Sequence, residues 1–239
     1  MSGHSKWETT HRQKEATDAK RGHLFTKLSK NISLSAKKNG DIETNFSLRM
    51  AVDKAKEANM PKDNIEKAIK RGTGEIEGLT YEGVFYEAYG GHGVALIIEG
   101  VTDKKNRTTP EVKSILTKFG GSLGGQNSVQ WMFNHQGVIR IESIEVKDKD
   151  SLIMEFLENG AEDVVEEEGG LTVFCGFTDF EKIKKFLETK NIKPSYSEVE
   201  WLAKEKVKLS DDDKASVEKM LTLLEENEDI NDVYSNLEV

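Results

Sequence analysis

The sequence has a single cysteine and no long apolar run. Cys175 alone cannot form an intramolecular disulfide, which is typical of proteins from a reducing compartment. No segment approaches the roughly 18 uninterrupted apolar residues of a membrane-spanning helix. The segment Met1–Trp7 lacks the apolar stretch of a secretory signal. We therefore expect a soluble, cytoplasmic protein that does not bind a membrane.

Motifs for catalysis and for cofactor binding are also missing. The five histidines are scattered, no His/Cys group has metal-site spacing, and no GxSxG nucleophile motif occurs. The glycine loop Gly120–Gly125 lacks the Lys-Ser/Thr of a phosphate-binding loop and is interpreted as a turn. Asp211–Asp213, after Ser210, is typical of a capped, acidic first turn of a helix, with a cation site as the minor alternative. We expect no enzyme activity, metal or cofactor.

Charge is distributed unevenly along the chain. The first 74 residues contain 16 Lys and Arg against 9 Asp and Glu, whereas the remaining 165 contain 18 against 34. The formal net charge of −9 therefore combines a cationic segment with an anionic body. This asymmetry is typical of a protein that binds a polyanion, most often nucleic acid, at one end.

Apolar periodicity predicts a small helical bundle in the cationic segment. Apolar residues recur at helical spacing from Leu24 to Ala36, and lysines gather on the opposite side of the helical wheel. Two further helices are predicted, the last beginning near Pro61 and ending at Gly72. The wheel predicts one packed face and one face that presents Lys20, Lys27, Lys30, Lys37 and Lys38.

Beyond Gly74 the pattern changes to alternation. A hairpin of Tyr81–Tyr89 and Gly93–Val101, a helix that starts at Thr109 and a short strand over residues 129–133 give the order ββαβ. Residues 137–203 show the βαββαβ order of a ferredoxin-like sandwich. The last 35 residues supply one helix and one strand, which we expect to complete the first sheet.

The predicted fold class is multidomain α+β. It consists of an N-terminal helical bundle and an α+β domain that is interrupted by an inserted ferredoxin-like domain. The predicted boundaries are 1–78 for the basic helical domain, 79–133 plus 205–239 for the α+β domain, and 134–204 for the insertion. The sequence indicates no oligomeric state.

The candidate nucleic-acid-binding residues are mostly cations of the first segment. Several lysines on one face give affinity for phosphates without sequence selectivity, and Trp7 is able to stack on an exposed base. The alternatives are that the lysines form an ordinary solvated face and that Trp7 packs the arm against the body. The candidates are Lys6, Trp7, Arg12, Lys14, Lys20, Arg21, Lys27, Lys30, Lys37 and Lys38.

Three more candidates lie outside this group. Lys70 and Arg71 close the third helix with Lys67, where interaction with the helix dipole is as good an explanation as phosphate contact. Arg107 precedes a predicted helix N-terminus, whose free N–H groups are able to hold a phosphate. Ordinary capping by Thr108 or Thr109 is the alternative there.

Several short motifs, in this order, resemble those of the YebC/PmpR family. They cover essentially the whole chain and are most specific over residues 2–133. The motifs are Gly3-His4-Ser5-Lys6-Trp7, Asp18-Ala19-Lys20-Arg21-Gly22, Phe25-Thr26-Lys27-Leu28, Met60-Pro61-Lys62-Asp63-Asn64-Ile65-Glu66, Lys70-Arg71-Gly72-Thr73-Gly74, Tyr86-Glu87-Ala88-Tyr89-Gly90, Thr102-Asp103, Asn106-Arg107-Thr108 and Gly120-Gly121-Ser122-Leu123-Gly124. The resemblance implies three domains and a cytoplasmic, non-enzymatic regulator of gene expression.

The resemblance leaves the physiological target open. The family is labelled as transcriptional regulators that bind promoter DNA. Members related to the mitochondrial translational activator of cytochrome oxidase are instead expected to act on the ribosome, where they relieve stalling at proline-rich stretches. Both functions need a cationic surface, so DNA and RNA remain alternatives. A small-ligand sensor built on the ferredoxin-like insertion is a third hypothesis, based on fold analogy.

This chain departs from the family pattern just after the tryptophan. It has Glu8-Thr9-Thr10 where similar sequences are basic, and Glu15 adds another acid. The arm is therefore less basic than the resemblance implies. We place more weight on Lys20, Arg21, Lys27 and Lys30 as phosphate contacts.

Overall fold

The computed structural model describes residues 18–142, 149–167 and 169–238, with side chains from residue 21 onward. These residues form two compact units. One unit contains the described residues up to Gln130 together with Val207–Leu237, and the other contains Trp131–Lys206. The larger unit holds both the helical segment and the first sheet, so the division of the chain into three domains stays a prediction.

In chain order, three helices come first and are followed by strands interspersed with single helices. They are α1 (Asp18–Ala36), α2 (Phe46–Glu57), α3 (Lys62–Thr73), β1 (Glu82–Tyr89), β2 (Ala95–Thr102), α4 (Lys105–Lys118), β3 (Ser122–Leu123), β4 (Phe133–Glu142), α5 (Lys149–Glu158), β5 (Ala161–Glu167), β6 (Gly170–Cys175), α6 (Phe180–Thr189), β7 (Tyr196–Ala203), α7 (Asp211–Glu226) and β8 (Ile230–Ser235). The predicted multidomain α+β class is confirmed.

The first three helices pack around their own hydrophobic core, as their apolar stripes predict. The side chain of Asn45 caps α2 by accepting the backbone N–H of Leu48 at 3.1 Å, and Gly74 ends α3 with a φ of 81°. The buried residues of this core are Leu28, Ile32, Ala36, Leu48, Val52, Ala55, Met60, Ile65 and Ala68. The predicted helical bundle is confirmed.

The C-terminal ends of α1 and α3 lie side by side. A Cβ atom added to Gly72 would lie 2.3 Å from the carbonyl oxygen of Ser33, so only glycine allows this approach. The hydroxyl of Ser33 donates to the carbonyl of Ala68 at 2.8 Å and holds the same two helices together. This contact determines where the cations at both helix ends lie.

The sheet of the larger unit has the strand order β3-β1-β2-β8. Strands β1 and β2 pair antiparallel along their whole length, from Glu82↔Thr102 to Tyr89↔Ala95, which confirms the predicted hairpin. Strand β8 pairs with β2, so the C-terminal residues complete this sheet as expected. A second core includes residues of β1, β2, α4, α7 and β8, and Ser210 caps α7 by accepting the N–H of Asp213 at 3.3 Å.

The short strand expected over residues 129–133 is wrong. The third strand is instead β3, inside the glycine loop that was interpreted as a turn, and residues 130–132 form one turn of 3-10 helix. The buried carboxylate of Glu87 explains the difference, because it accepts the backbone N–H groups of Asn127, Val129 and Gln130 at 2.5–2.7 Å and bends the chain there. Trp131 is consequently 66% exposed instead of lying in a strand.

The smaller unit has the strand order β5-β6-β4-β7, with every neighbouring pair antiparallel and with α5 and α6 as the two helices of the βαββαβ unit. This arrangement confirms the predicted ferredoxin-like fold. Cys175 lies fully buried in its core. Burial raises the pKa of the Cys175 thiol to about 12, so this cysteine is a packing residue and not a nucleophile.

Candidate nucleic-acid interface

Five of the predicted contact residues have side chains that lie outside the described part of the chain. They are Lys6, Trp7, Arg12, Lys14 and Lys20, although the backbone of Lys20 belongs to α1. Their roles as nucleic-acid contacts stay predictions. Arg21, one residue further on, is exposed on the first turns of α1.

The lysine face of α1 docks against the turn between α7 and β8. The contacted segment includes the last two residues of α7, and we call residues 225–229 the acidic turn. The ammonium group of Lys27 donates to the carbonyl of Glu225, and that of Lys30 donates to the carbonyl of Glu228 at 3.0 Å and to Asp229 Oδ1 at 2.7 Å. Lys30 is only 8% exposed. We expected Lys27 and Lys30 to present free charges to solvent. This expectation is corrected, because carbonyl and carboxylate oxygens of residues 225–229 accept hydrogen bonds from both ammonium groups.

Asp229 is the centre of this contact. Its side chain is buried, and its second oxygen accepts the hydroxyls of Thr102 at 3.0 Å and Thr108 at 2.7 Å and the guanidinium of Arg107 at 2.8 Å. Burial alone would raise the pKa of this carboxyl, but hydrogen bonds from Arg107, Lys30 and Thr108 outweigh it and hold the pKa well below its ordinary value. The carboxylate stays ionised and joins α1, β2 and α4.

At the N-terminus of α4, where a phosphate contact by Arg107 was predicted, carboxylates of the protein itself pair with the guanidinium group. Arg107 pairs with Asp103 at 3.0 Å and with Asp229 at 2.8 Å, and the hydrogen bond to Asp229 is the main reason that the pKa of Arg107 is raised. The alternative, capping by Thr108 or Thr109, is wrong, because both residues lie inside α4 and the N-cap residue Lys104 makes no side-chain cap hydrogen bond. Helix α4 also begins at Lys105, earlier than its expected start.

A group of cations remains just after the end of α1 and along the second half of α3. We call this group the helix-end cluster; its members are Lys37, Lys38, Lys67, Lys70 and Arg71. The four lysines are exposed, and Arg71 is half-buried. Within residues 18–142, 149–167 and 169–238, no carboxylate lies within ion-pair distance of these five. The cluster is therefore a cationic surface without an internal counterion in the described structure.

The positions of these cations also suit the helix dipole. Lys70 and Arg71 lie in the last turn of α3, where the free carbonyls carry partial negative charge. On the wheel of α3, Lys67 and Lys70 lie opposite the buried Ile65 and Ala68, so their ammonium groups point away from the core. The dipole accounts for part of this placement, yet it leaves the charges available to a phosphate.

The acidic turn and Asp229 were missed from the sequence. The sequence does offer one indication, because residues 225–229 carry four negatively charged side chains, whereas α1 carries lysines. Nothing in the periodicity, however, indicates which of the many acidic stretches meets that helix. Lys67 was noted only as one of the residues that close α3.

No group of three or more His, Cys, Asp or Glu side chains among the described residues is placed to hold a metal ion. No helix in the described part of the chain is long and apolar enough to cross a membrane.

These features define a multidomain α+β protein with a cationic helical segment. Comparison with protein families identifies it more closely. Residues 5–75 match the TACO1/YebC protein N-terminal domain, and residues 81–237 match the TACO1/YebC second and third domain. The chain belongs to the TACO1/YebC family, as its motifs predicted.

Similar proteins agree with this assignment. A protein of Halothermothrix orenii is 46% identical over 244 residues, which cover 100% of this chain and 96% of that one. One from Dictyoglomus thermophilum is 47% identical over 240 residues, with the same coverage. Both are named probable transcriptional regulatory protein. The crystal structure of a conserved hypothetical protein from Aquifex aeolicus has a TM-score of 0.80 and 37% identity, and covers 92% of this chain and 91% of its own.

Proposed function

We propose that this protein is a non-enzymatic regulator of gene expression that binds nucleic acid through its helical segment. The observation that carries the proposal is the helix-end cluster, whose five cations lie on α3 and just after α1 with no carboxylate of the described residues paired to them. Each lysine that neutralises a phosphate releases condensed counterions, so a cluster of this size supports binding without base-specific contacts. The names of the relatives favour the same class of function.

The contacts proposed here differ from those expected from the sequence. Lys37, Lys38, Lys70 and Arg71 keep their proposed role, and Lys67 joins them. Lys27, Lys30 and Arg107 are engaged internally, so they are not part of the surface that meets a phosphate first. Lys6, Trp7, Arg12, Lys14, Lys20 and Arg21 remain proposed contacts from the N-terminal side of the same segment.

The proposed physiological target is promoter DNA, with ribosomal RNA as the alternative. The helix-end cluster supports both, because lysines recognise the phosphates that the two polymers share. Cosedimentation with ribosomes, compared with retention of promoter fragments, separates the two. Membrane binding and a cofactor form no part of the proposal, and the ligand-sensing role of the ferredoxin-like insertion stays a prediction.

Charge reversal tests the proposal directly. The triple variant Lys37→Glu/Lys38→Glu/Lys70→Glu is compared with Lys113→Glu/Lys208→Glu/Lys219→Glu, which changes the net charge equally at exposed lysines elsewhere in the larger unit. If three phosphate contacts are lost, the slope of log affinity against log salt concentration falls by about 2.7 for duplex DNA in the first variant. Equal affinity and equal slope in the two triple variants would contradict the proposal.

A further inference from the structure

The helical segment has its own core, and it is attached to the sheet by polar contacts together with Leu34 of α1, whose side chain lies against Gly83 of β1. The buried residues of the helical core and those of the sheet core are separate sets. The connection between α3 and β1, residues 74–81, contains no helix or strand and is mostly exposed. Polar contacts between parts of a chain that have separate cores are typical of contacts that open.

Charged and amide groups contribute directly to this attachment. Besides the contacts of Lys27 and Lys30, the side chain of Asn231 donates to Asn31 at 2.7 Å, and His23 lies 3.4 Å from Glu228. A competing anion supplies the same kind of acceptor oxygens, so it is able to replace them as the partner of these cations.

The environment of Asp229 has the composition of a phosphate site. An ammonium group, a guanidinium group and two hydroxyls converge on its carboxylate beside the N-terminus of α4. Phosphates are bound in proteins by the same groups at the same position of a helix. The carboxylate of Asp229 thus holds cations that are chemically suited to nucleic acid.

We propose that the acidic turn is an intramolecular competitor of nucleic acid, and that a bound polyanion releases α1 from it. This inference rests on the proposed function. In the released state Lys27 and Lys30 add to the cations of the helix-end cluster, whereas Arg107 stays paired with Asp103 and Asp229. The docked state lowers the apparent affinity, because only the released fraction of the protein makes the full set of contacts.

A crosslink between α1 and β8 tests this inference in the full-length chain. The double variant Asn31→Cys/Asn231→Cys places thiols at a pair of side chains that touch, and a short bis-maleimide joins them. Cys175 does not compete for the reagent, because it is fully buried. The matched control is Asn31→Cys alone, capped with a mono-maleimide.

The measurement is the affinity of crosslinked and control protein for duplex DNA and for single-stranded RNA of equal length, over a series of salt concentrations. The crosslinked protein is expected to bind more weakly, with a salt slope that is smaller by about 1.4–1.8, because Lys27 and Lys30 stay docked. Equal affinity and equal slope would overturn the competitor role and leave the proposed function intact. Absence of binding by both forms would overturn the two proposals together.

A second measurement uses a single residue and needs no crosslink. Lys30 is buried in the docked state, whereas Lys37 is exposed. If α1 is released on binding, Lys30→Met lowers the salt slope by about 1, as Lys37→Met does. A slope that changes for Lys37→Met and not for Lys30→Met would show that Lys30 has a structural role only.

Discussion

Among the carboxylates at the contact between α1 and the acidic turn, Asp229 is expected to matter most for stability. Its replacement by asparagine should destabilise the larger unit more than the same change at any neighbouring carboxylate. The Asp229→Asn variant keeps the size of the side chain but removes its charge. Lys30, whose side chain is 10% exposed, then faces a neutral amide with little access to water. Arg107 recovers most of its solvation, because its side chain is 46% exposed and still pairs with Asp103.

The magnitude follows from this asymmetry. Removing one partner of a buried ion pair costs about 3–5 kcal/mol. The loss at Arg107 is discounted for solvent screening, and the hydroxyl of Thr108 keeps the carbonyl of Lys104 as an acceptor at 3.3 Å. We therefore expect the lower end, about 3 kcal/mol, which corresponds to about 6–12 °C in the thermal midpoint of a domain of this size.

The assay is urea denaturation of the full-length chain, followed by circular dichroism, with Asp103→Asn as the matched control. Asp103 is the other carboxylate that pairs with Arg107, and its loss is expected to cost less than about 1 kcal/mol because that pair is screened by solvent. Lys30→Met should fall between the two, since Asp229 retains Arg107 and two hydroxyls. An Asp229→Asn variant as stable as Asp103→Asn would refute the reasoning.

Three further predictions concern stability. Because the pKa of Asp229 is lowered on folding, its contribution to the free energy of unfolding is complete above the ordinary Asp pKa of about 3.9 and is lost as the pH falls below that value. Thermal midpoints measured from pH 6 to pH 3 should therefore fall less steeply for Asp229→Asn than for the wild type. Gly72→Ala should lower the free energy of unfolding in urea by about 1–3 kcal/mol, since its Cβ would collide with the carbonyl of Ser33. Gly22→Ala has no atom within 4 Å of its Cβ and should raise that free energy by about 0.5–1 kcal/mol. Equal effects of the two changes would contradict the close packing at Gly72. Glu87→Gln should cost about 1.5–3 kcal/mol and speed hydrogen exchange of the three N–H groups it accepts, and unchanged exchange at those amides would refute its role.

Much of the fold was predictable because most elements have a strong period. The apolar stripe of α1 identifies its core face, and Pro61 and Gly72 lie within one residue of the ends of α3. The ferredoxin-like order followed from alternation in the strands, helical periodicity in the two helices and the turn at Gly169-Gly170. The exception is the region of Val129, where alternation suggested a strand but the carboxylate of Glu87 bends the backbone.

The candidate site was only partly predictable. A helical wheel separates the two faces of α1, but it does not show that the polar face of Lys27 and Lys30 meets the acidic turn. That contact joins residues nearly 200 positions apart, and its components are short-range charges that recur throughout the chain. The helix-end cluster, by contrast, follows from the positions at which the helices end.

Photocrosslinking is the most direct test that the helical segment binds nucleic acid. The full-length protein would be irradiated with duplex DNA or single-stranded RNA that carries a photoreactive base, digested, and analysed by mass spectrometry. The expected crosslinked peptides contain Lys37 and Lys38 or the segment 67–71. Crosslinks confined to residues 131–206, or equal labelling of all exposed lysines, would contradict the proposed interface.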